Sequence, residues 1–333
     1  MKTLLSHEPG GPETLRLSDV PDPEAGPGQL LVGVKACAIN YPDVLIIEDK
    51  YQFRPPRPFA PGGEIAGVIE AIGEGVSGWS VGDRVLAMVG HGGLAEKVVV
   101  PAATALPLPE GRSFAEGSAL ILTYATSIHA LLDRGQLRAG ETLLVLGAAG
   151  GVGLAAVELG VAFGAKVVAA VSSEEKAEVV RAAGAETVFV YPRGPFDRIE
   201  AKALAQSFKE AVGPAGADVI YDPVGGDYTE AALRAVAWEG RHLVVGFPAG
   251  IPKLPLNLTL LKSCDVRGVF WGAFAARDPE ANRRHIETLF RLWDEGKIAP
   301  KVSRTWPLEQ GGEAIAHMAA RKALGKLVVE MIG

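Results

Sequence analysis

The hydrophobic and polar positions in the middle of the chain alternate between short apolar runs and amphipathic stretches. The run at 142–146 predicts a buried strand, and the pattern at 152–163 predicts a helix after it. The same pairing recurs at 166–171 with 173–183, 187–191 with 199–212, and 218–222 with 228–237, and further strands are predicted at 242–247 and 266–270. This alternation predicts a doubly wound parallel sheet with helices on both faces.

The first third of the chain has short β-rich runs separated by proline and glycine. Strands are predicted at 30–38, 67–72, 81–88 and 96–100, and the segments rich in Pro and Gly lie at 21–28, 54–63 and 74–83. This pattern favours a small distorted barrel over strand–helix–strand units. A helical pattern at 118–133 then marks the change to the central region.

The tail combines a predicted helix at 279–295, a segment at 298–306, and a final helix and strand within 309–331. We expect it to pack on the first domain, so that the central region is an insertion. A length of 333 residues also favours two domains. The predicted domains are 1–118 with 272–333, and 119–271.

A glycine-rich turn follows the first central strand, with glycines at 147, 150, 151 and 153 before the helix. Glycine lets the backbone bend sharply and approach a pyrophosphate, and the helix start offers free N–H groups and a partial positive charge. A strand, a glycine turn and a helix start in this order predict a dinucleotide site.

The end of the second central strand bears on which dinucleotide binds. Sites that prefer NAD usually place Asp or Glu there, whereas this chain has Ser172. Ser172 and Lys176 can hold a 2′-phosphate, which favours NADPH. Ser172 and Glu175 also match a helix capping box, and a small backbone shift would bring Glu174 to the ribose, so both alternatives stay open.

Composition and charge exclude several classes of partner. The net charge of -6 is spread without basic clusters, which argues against nucleic acid or an anionic membrane surface. There is no apolar run of membrane-spanning length and no apolar signal core near the N-terminus, so we expect a cytoplasmic protein. Cys37 and Cys264 lie far apart and are expected to be reduced core thiols.

Seven segments together resemble the zinc-independent quinone oxidoreductases of the medium-chain dehydrogenase/reductase superfamily, over nearly the whole chain. They are ACAINYPDVL, PFAPGGEIAGVIEAIGEGV, GDRVLA, LGAAGGVGLAAVELG, SSEEK, YDPVGG and ALGKLVV. The resemblance implies a GroES-like catalytic domain, a Rossmann-type domain and a cleft between them that holds NADPH. It also implies a homodimer, often formed through the cofactor-domain sheets.

Zinc-dependent members of the superfamily have Cys where this chain has Asn40, and His-Glu where it has Gly63-Glu64. Their structural zinc lobe is reduced here to the region around 89–93. His91 and His129 are isolated and are expected to be structural, so we predict no metal. Without a Lewis acid the hydride acceptor must already be electrophilic, which favours a quinone or an activated alkene.

The resemblance implies a set of site residues. Asn40, Tyr41, Asp43 and Tyr51 would line the cleft, with Asn40, Asp43 and Tyr51 as the catalytic candidates. Asn40 would donate to the acceptor oxygen, and Tyr51 would stack on a flat ring or offer its hydroxyl. The alternatives are packing beside Phe53 for Tyr51 and a turn or domain-packing contact for Asp43.

The remaining residues implied by the resemblance would bind the cofactor. They are Tyr41, which also lines the cleft, Thr126, Ala149, Gly150, Gly151, Val152, Ser172, Lys176, Tyr191, Val224, Gly246, Phe247, Val269, Phe270, Trp271 and, from the tail, Arg321. For Thr126, Trp271 and Arg321 an ordinary helix, core or surface role is the alternative. The predicted activity is NADPH-dependent quinone reduction. An enoyl-thioester or enone reductase and a non-catalytic NADPH-binding protein remain as alternatives.

Overall fold

The computed structural model describes residues 1–331 and divides into two compact units. The first unit comprises Met1–Leu122 and the chain from Pro300 onward, and the second comprises Thr123–Ala299. The chain passes from the first unit to the second after Leu122, close to the predicted boundary after residue 118. It returns to the first unit after Ala299, whereas the predicted boundary is after residue 271. Ile332 and Gly333, which end the predicted first domain, lie outside the described residues.

The strands are β1 (Lys2–Leu5), β2 (Arg16–Asp19), β3 (Gln29–Ile39), β4 (Glu64–Ile72), β5 (Arg84–Met88), β6 (Lys97–Pro101), β7 (Leu106–Pro107), β8 (Thr142–Val145), β9 (Lys166–Val171), β10 (Thr187–Val190), β11 (Ala217–Asp222), β12 (Val236–Val244), β13 (Asp265–Gly268), β14 (Val302–Pro307) and β15 (Lys326–Glu330). The α-helices are α1 (Tyr41–Ile47), α2 (Phe114–Ser118), α3 (Ile121–Ile128), α4 (Gly151–Ala162), α5 (Glu174–Ala182), α6 (Arg198–Val212), α7 (Asp227–Leu233), α8 (Asn257–Lys262), α9 (Trp271–Arg277), α10 (Pro279–Asp294) and α11 (Gly311–Ala319).

The first unit is built on a sheet in the order β14-β15-β3-β4-β5-β7, with β6 also paired to β3. β3 is 11 residues long and pairs antiparallel with β4, β6 and β15, so it joins the N-terminal part of the chain to the tail. Apolar side chains of β3, β4, α1 and α11 form its core. This is the GroES-like, β-rich domain that the sequence predicts.

The second unit is a six-stranded parallel sheet in the order β10-β9-β8-β11-β12-β13. The chain runs outward from β8 to β10 and then returns to β11 on the other side of β8. β8 and β11 are therefore the topological switch point of a doubly wound Rossmann-type sheet. The segments that follow these two strands diverge there, and ligands bind at such a point.

The structure differs from the prediction in the bounds of some elements and in the unit to which one helix belongs. The predicted helix at 228–237 ends at Leu233, because the chain enters β12 at Val236. The predicted helix at 118–133 begins where α2 ends, and it consists of α3 and a π-helical turn over His129–Arg134. Helix α10 belongs to the second unit, where Leu289 and Trp293 are buried.

No helix within residues 1–331 is both long enough and apolar enough to span a membrane.

Candidate functional site

The glycine turn after β8 has the form of a dinucleotide cradle. Gly147 has a left-handed φ of 56°, and the N–H of Gly150 donates to the Gly147 carbonyl at 3.0 Å. A Cβ at Gly153 would lie 2.3 Å from that carbonyl oxygen, so α4 approaches the turn more closely than any side chain allows. Gly150 precedes α4 without a side-chain cap, and the first turn of α4 has no acidic residue. These features fit a pyrophosphate at the helix start.

Side chains from two other elements hold this turn and the start of α4. The Tyr191 side chain is buried beyond the end of β10, and burial raises the pKa of its hydroxyl against the opposing effect of the Gly147 backbone close to it. Ser127, next to the predicted Thr126 on α3, donates to the Val152 carbonyl at 3.0 Å and bonds to the Tyr221 hydroxyl at 2.8 Å. Ser127 is thus a support that the sequence analysis missed.

Ser172 and Lys176 meet beyond the end of β9. The Lys176 ammonium donates to the Ser172 hydroxyl at 3.4 Å. The residue that caps α5 is Ser173, whose hydroxyl accepts the Lys176 N–H at 3.4 Å, so the capping box that we considered for Ser172 is not formed. Burial lowers the pKa of Lys176 below its usual value, and the neighbouring Arg193 acts in the same direction.

Two charged residues near this corner bear on the choice of cofactor. Glu174 begins α5 and lies 3.7 Å from Arg181 on the same helix, where three quarters of its side chain is exposed. Arg193 lies two residues past Tyr191, at the edge of the sheet where β9 and β10 both end. Arg193 was not among the predicted site residues, although a cation just after β10 is a signal that the sequence contains.

The predicted residues after β11 and β12 come together at the switch point. A Cβ on Gly147 would lie 2.8 Å from Val224, so Val224 packs directly on the glycine turn. The Ala249 N–H donates to the Val224 carbonyl at 2.9 Å, which joins the segment after β11 to the one that contains Gly246 and Phe247. The Phe247 side chain is nearly half exposed.

The predicted residues after β13 fall into two groups. Val269 continues the sheet through a 3.0 Å bond from its N–H to Val244, and Phe270 is exposed. The Trp271 side chain is buried, and its indole N–H donates to Asn282 at 2.8 Å. This is the core-packing alternative considered for Trp271.

Arg321, the predicted cofactor residue from the tail, lies in the first unit, where it is exposed in a turn after α11.

In the first unit, Asn40 belongs to a buried ionic network. Its side-chain amide donates to the Ala38 carbonyl at 3.3 Å and to Glu64 at 3.2 Å, and its oxygen accepts from Lys326 at 2.6 Å. Lys326 also lies 3.0 Å from Glu64, and both side chains are fully buried. The sequence analysis predicted neither Glu64 nor Lys326 as a site residue.

Glu64 also holds the backbone of α3. Its second oxygen accepts the N–H of Leu122 at 2.9 Å. Leu122 is the last residue before the chain enters the second unit. One carboxylate therefore joins the starts of β4 and β15, the Asn40 amide and the start of α3.

Asp43 caps α1 and is buried within the first unit. Its carboxylate accepts the N–H groups of Asn40 at 2.7 Å and Gly62 at 2.9 Å. Burial raises the pKa of Asp43 to about 6, against the opposing effect of these two hydrogen bonds. This arrangement matches the local-turn alternative, and it ties α1 to the segment before β4.

The tyrosines next to α1 differ in their surroundings. Tyr41 is the first residue of α1 and packs against the core with Tyr51. Burial and the nearby Asp43 raise the pKa of Tyr51. Among the described residues no side chain or backbone group bonds to the Tyr51 hydroxyl. Phe53 instead stacks on His91, with ring centroids 5.8 Å apart.

Within the described chain, no group of three or more His, Cys, Asp or Glu side chains is arranged to hold a metal ion. The ammonium of Lys326 bonds to Asn40 at the position that carries a zinc ligand in the zinc-dependent members. Nearby Cys37 is buried, and burial raises the pKa of its thiol well above the usual value. A neutral thiol and an ammonium are poor partners for zinc.

Two family models match the chain. Residues 26–110 match the alcohol dehydrogenase GroES-like domain, and residues 151–288 match the zinc-binding dehydrogenase model. A quinone oxidoreductase-like protein 2 homolog from Nematostella vectensis is 38% identical over 91% of this chain and 82% of that protein. The quinone oxidoreductase of Rattus norvegicus is 33% identical over 99% and 97%. A mycobacterial protein solved in complex with NADPH has a TM-score of 0.91 and 29% identity, covering 99% of this chain and 100% of that one.

Replacing Lys176 by Ala tests the corner beyond β9. We expect NADPH to bind about 1–3 kcal/mol more weakly, because a charged hydrogen bond to the 2′-phosphate is lost, and NADH binding to stay nearly unchanged. Titration calorimetry with both cofactors measures this. Lys209→Ala, on the exposed part of α6, is the control and should change neither affinity. Equal losses for NADPH and NADH would contradict the assignment.

The raised pKa of Asp43 predicts a dependence of stability on pH. The native carboxyl holds its proton up to about pH 6, against an unfolded value near 3.8. Stability from this group is therefore full below pH 3.8 and is lost as the pH rises through 6, by about 3 kcal/mol in total.

Urea unfolding of the native protein and of Asp43→Asn, between pH 4 and pH 7.5, isolates this effect. The free energy of unfolding of the native protein should fall relative to that of the variant as the pH rises. A difference between the two proteins that stays constant over this range would show that Asp43 titrates normally.

Proposed function

Since the chain belongs to the quinone oxidoreductase family of the medium-chain dehydrogenase/reductase superfamily, we propose that it is an NADPH-dependent quinone oxidoreductase that works without a metal. The oxidoreductase class and the NADPH cofactor follow from the family and from the NADPH-bound neighbour. What we propose beyond these is that the hydride acceptor is a quinone and that the reaction needs no zinc.

The observation that carries the cofactor assignment is the cradle at the switch point. The glycine turn offers backbone N–H groups at the start of α4, and Ser172 with Lys176 forms a polar corner beyond β9. Glu174, the carboxylate that would favour NADH, lies beside Arg181 on the exposed side of α5. NADPH bound here supplies a hydride from its nicotinamide ring.

The network around Asn40 supports the metal-free reaction. A cation at this position would face the Lys326 ammonium, and the Glu64 carboxylate is already used by Lys326, Asn40 and the Leu122 N–H. An acceptor that needs no Lewis acid is then required. A quinone takes up a hydride and one proton from solvent and becomes a hydroquinone, while NADPH becomes NADP⁺.

Among the three catalytic candidates, we assign the acceptor contact to Tyr51, because its hydroxyl has no partner among the described residues. Asn40 and Asp43 would hold the start of α1 in place. A direct donation from the Asn40 amide to the acceptor, as expected from the sequence, requires the amide to leave Glu64 or the Ala38 carbonyl.

The enoyl-thioester alternative needs cations for the phosphates of coenzyme A. Arg57 is one of two arginines that the sequence offered, and its guanidinium is held by Asp49 at 2.8 Å, by the Ile47 carbonyl at 3.0 Å and by Ser6. Only Arg54 of this pair remains, which supports a quinone over a coenzyme A thioester.

The activity test follows NADPH oxidation, with NADH in parallel, against benzoquinone, phenanthrenequinone and crotonyl-CoA. We expect rapid turnover of the quinones with preference for NADPH, and a lower kcat for Tyr51→Phe. Phe53→Leu serves as a control for loss of a nearby ring. Turnover of crotonyl-CoA alone would establish the thioester alternative, and saturable NADPH binding without any turnover would establish the non-catalytic one.

We also propose a cytoplasmic homodimer in which β13 pairs with β13 of a second copy. β13 is the last strand of the parallel sheet and pairs only with β12 among the described residues. Exposed apolar side chains lie on β13, at Val266, and in the chain just before it, at Leu256, Leu260 and Leu261. A monomer would leave these leucines in water beside an unpaired strand edge.

Light scattering after size-exclusion chromatography tests the dimer. We expect the native protein to have twice the chain mass, and the double variant Leu260→Glu/Leu261→Glu to have the mass of one chain, because buried charges break the interface. Leu17→Glu, at an exposed leucine in β2 of the first unit, should leave the dimer intact. A native monomer, or a double variant that stays dimeric, would contradict this interface.

A further inference from the structure

Asp222, the last residue of β11, makes four hydrogen bonds through a buried carboxylate. One oxygen accepts the backbone N–H groups of Val224 at 2.9 Å and Gly225 at 3.0 Å. The other accepts from the Thr229 hydroxyl at 2.6 Å and from His242 Nε2 at 3.2 Å. The carboxylate thus ties the segment after β11 both to α7 and to the last part of β12.

The backbone of Asp222 holds the neighbouring segment as well. Its carbonyl accepts the N–H of Val245 at 2.9 Å and that of Gly246 at 3.4 Å. The two segments are further joined by the Gly226 N–H, which donates to the Gly250 carbonyl at 2.7 Å. A single residue therefore fixes the chain after β11 and the chain after β12.

Val224 carries this restraint to the glycine turn. It packs where a Cβ of Gly147 would lie, 2.8 Å away, so any shift of Val224 changes the space beside the turn. Gly225 has a left-handed φ of 73°, which the bonds from the N–H groups of Val224 and Gly225 to Asp222 help to hold, and Gly226 follows it with a φ of 57°. The conformation of the segment is thus set by the carboxylate and not by side-chain packing alone.

The charge of Asp222 and the position of the proton on His242 are consistent with a carboxylate that holds these segments by accepting hydrogen bonds. Burial alone would raise the pKa of Asp222, but the hydrogen bonds from His242, Gly225 and Thr229 outweigh it, and the pKa lies below its usual value. A carboxylate only accepts, so His242 Nε2 carries the proton. His242 Nδ1 has no partner in the described part of the chain, so the one hydrogen bond made by this ring is directed at Asp222.

We propose that Asp222, oriented by Thr229 and His242, is a positioning residue that sets the cofactor cradle in its binding shape before NADPH arrives. The inference rests on the proposed cofactor position at the switch point. Asp222 acts through Val224 and Gly246 and does not itself touch the cofactor. Without its carboxylate, the two segments would have to be ordered at the expense of binding.

Variants at Asp222 and Thr229, with NADPH and NADH binding as the readout, test this role. Asp222→Asn should raise the Kd of both cofactors by about tenfold or more, because an amide cannot accept from all four donors. Thr229→Val removes one donor without changing the shape and should raise both values about threefold, and Thr229→Ser should restore them. The kcat at saturating NADPH should change less than the KM.

Equal effects on NADPH and NADH distinguish this role from that of Lys176, whose loss affects NADPH alone. Ser118→Ala is the control, since it removes a buried hydroxyl in the first unit and should lower stability without changing either Kd. Because the readout is binding, a failure of quinone turnover leaves the result interpretable. Kd values within twofold of native for both Asp222→Asn and Thr229→Val, with lowered unfolding temperatures, would overturn the proposal and make Asp222 purely structural.

Discussion

The close approach of three backbone segments at the switch point of the parallel sheet is the constraint on which the cofactor site depends. Helix α4 comes so near the turn after β8 that a side chain at Gly153 would collide with the Gly147 carbonyl, and Val224 fills the space where a Gly147 side chain would lie. The N–H groups at the start of α4, beside these contacts, have no side-chain cap. An anion is the natural partner of such a helix start.

In the first unit, the buried ion pair between Glu64 and Lys326 is the interaction that holds the predicted site residue Asn40. Replacing a buried pair of this kind by apolar side chains often costs no stability, so the Glu64–Lys326 pair is not explained by stability alone. Its geometry offers another reason. It joins β4 to β15 and fixes the Asn40 amide at the start of α1, so that the helix carrying Tyr41 is held by charge as well as by packing.

The alternation of strands and helices in the second unit was predictable because a parallel sheet covered on both faces imposes a strong local pattern. The glycine turn was predictable for the same reason. The side chains that fix the sites were not, because Lys326 and Glu64 are 262 positions apart and no local pattern links them. One signal was present: Lys326 begins an apolar strand, Asp222 ends one and His242 lies within one, and a charged or polar group that is buried there requires a partner. The sequence does not identify that partner, because the fold alone brings the two residues together.

The cofactor cradle is proposed to be a preformed structure, held by Asp222 before any ligand binds. Amide hydrogen exchange of the protein without cofactor, measured at the N–H groups of Val224 and Gly225, tests this proposal. We expect both amides to exchange slowly in the free protein, because both donate to the Asp222 carboxylate, and NADPH to slow them only modestly further. Rapid exchange of both amides without NADPH, with protection appearing only on binding, would show that the cofactor orders the cradle and would contradict a preformed site.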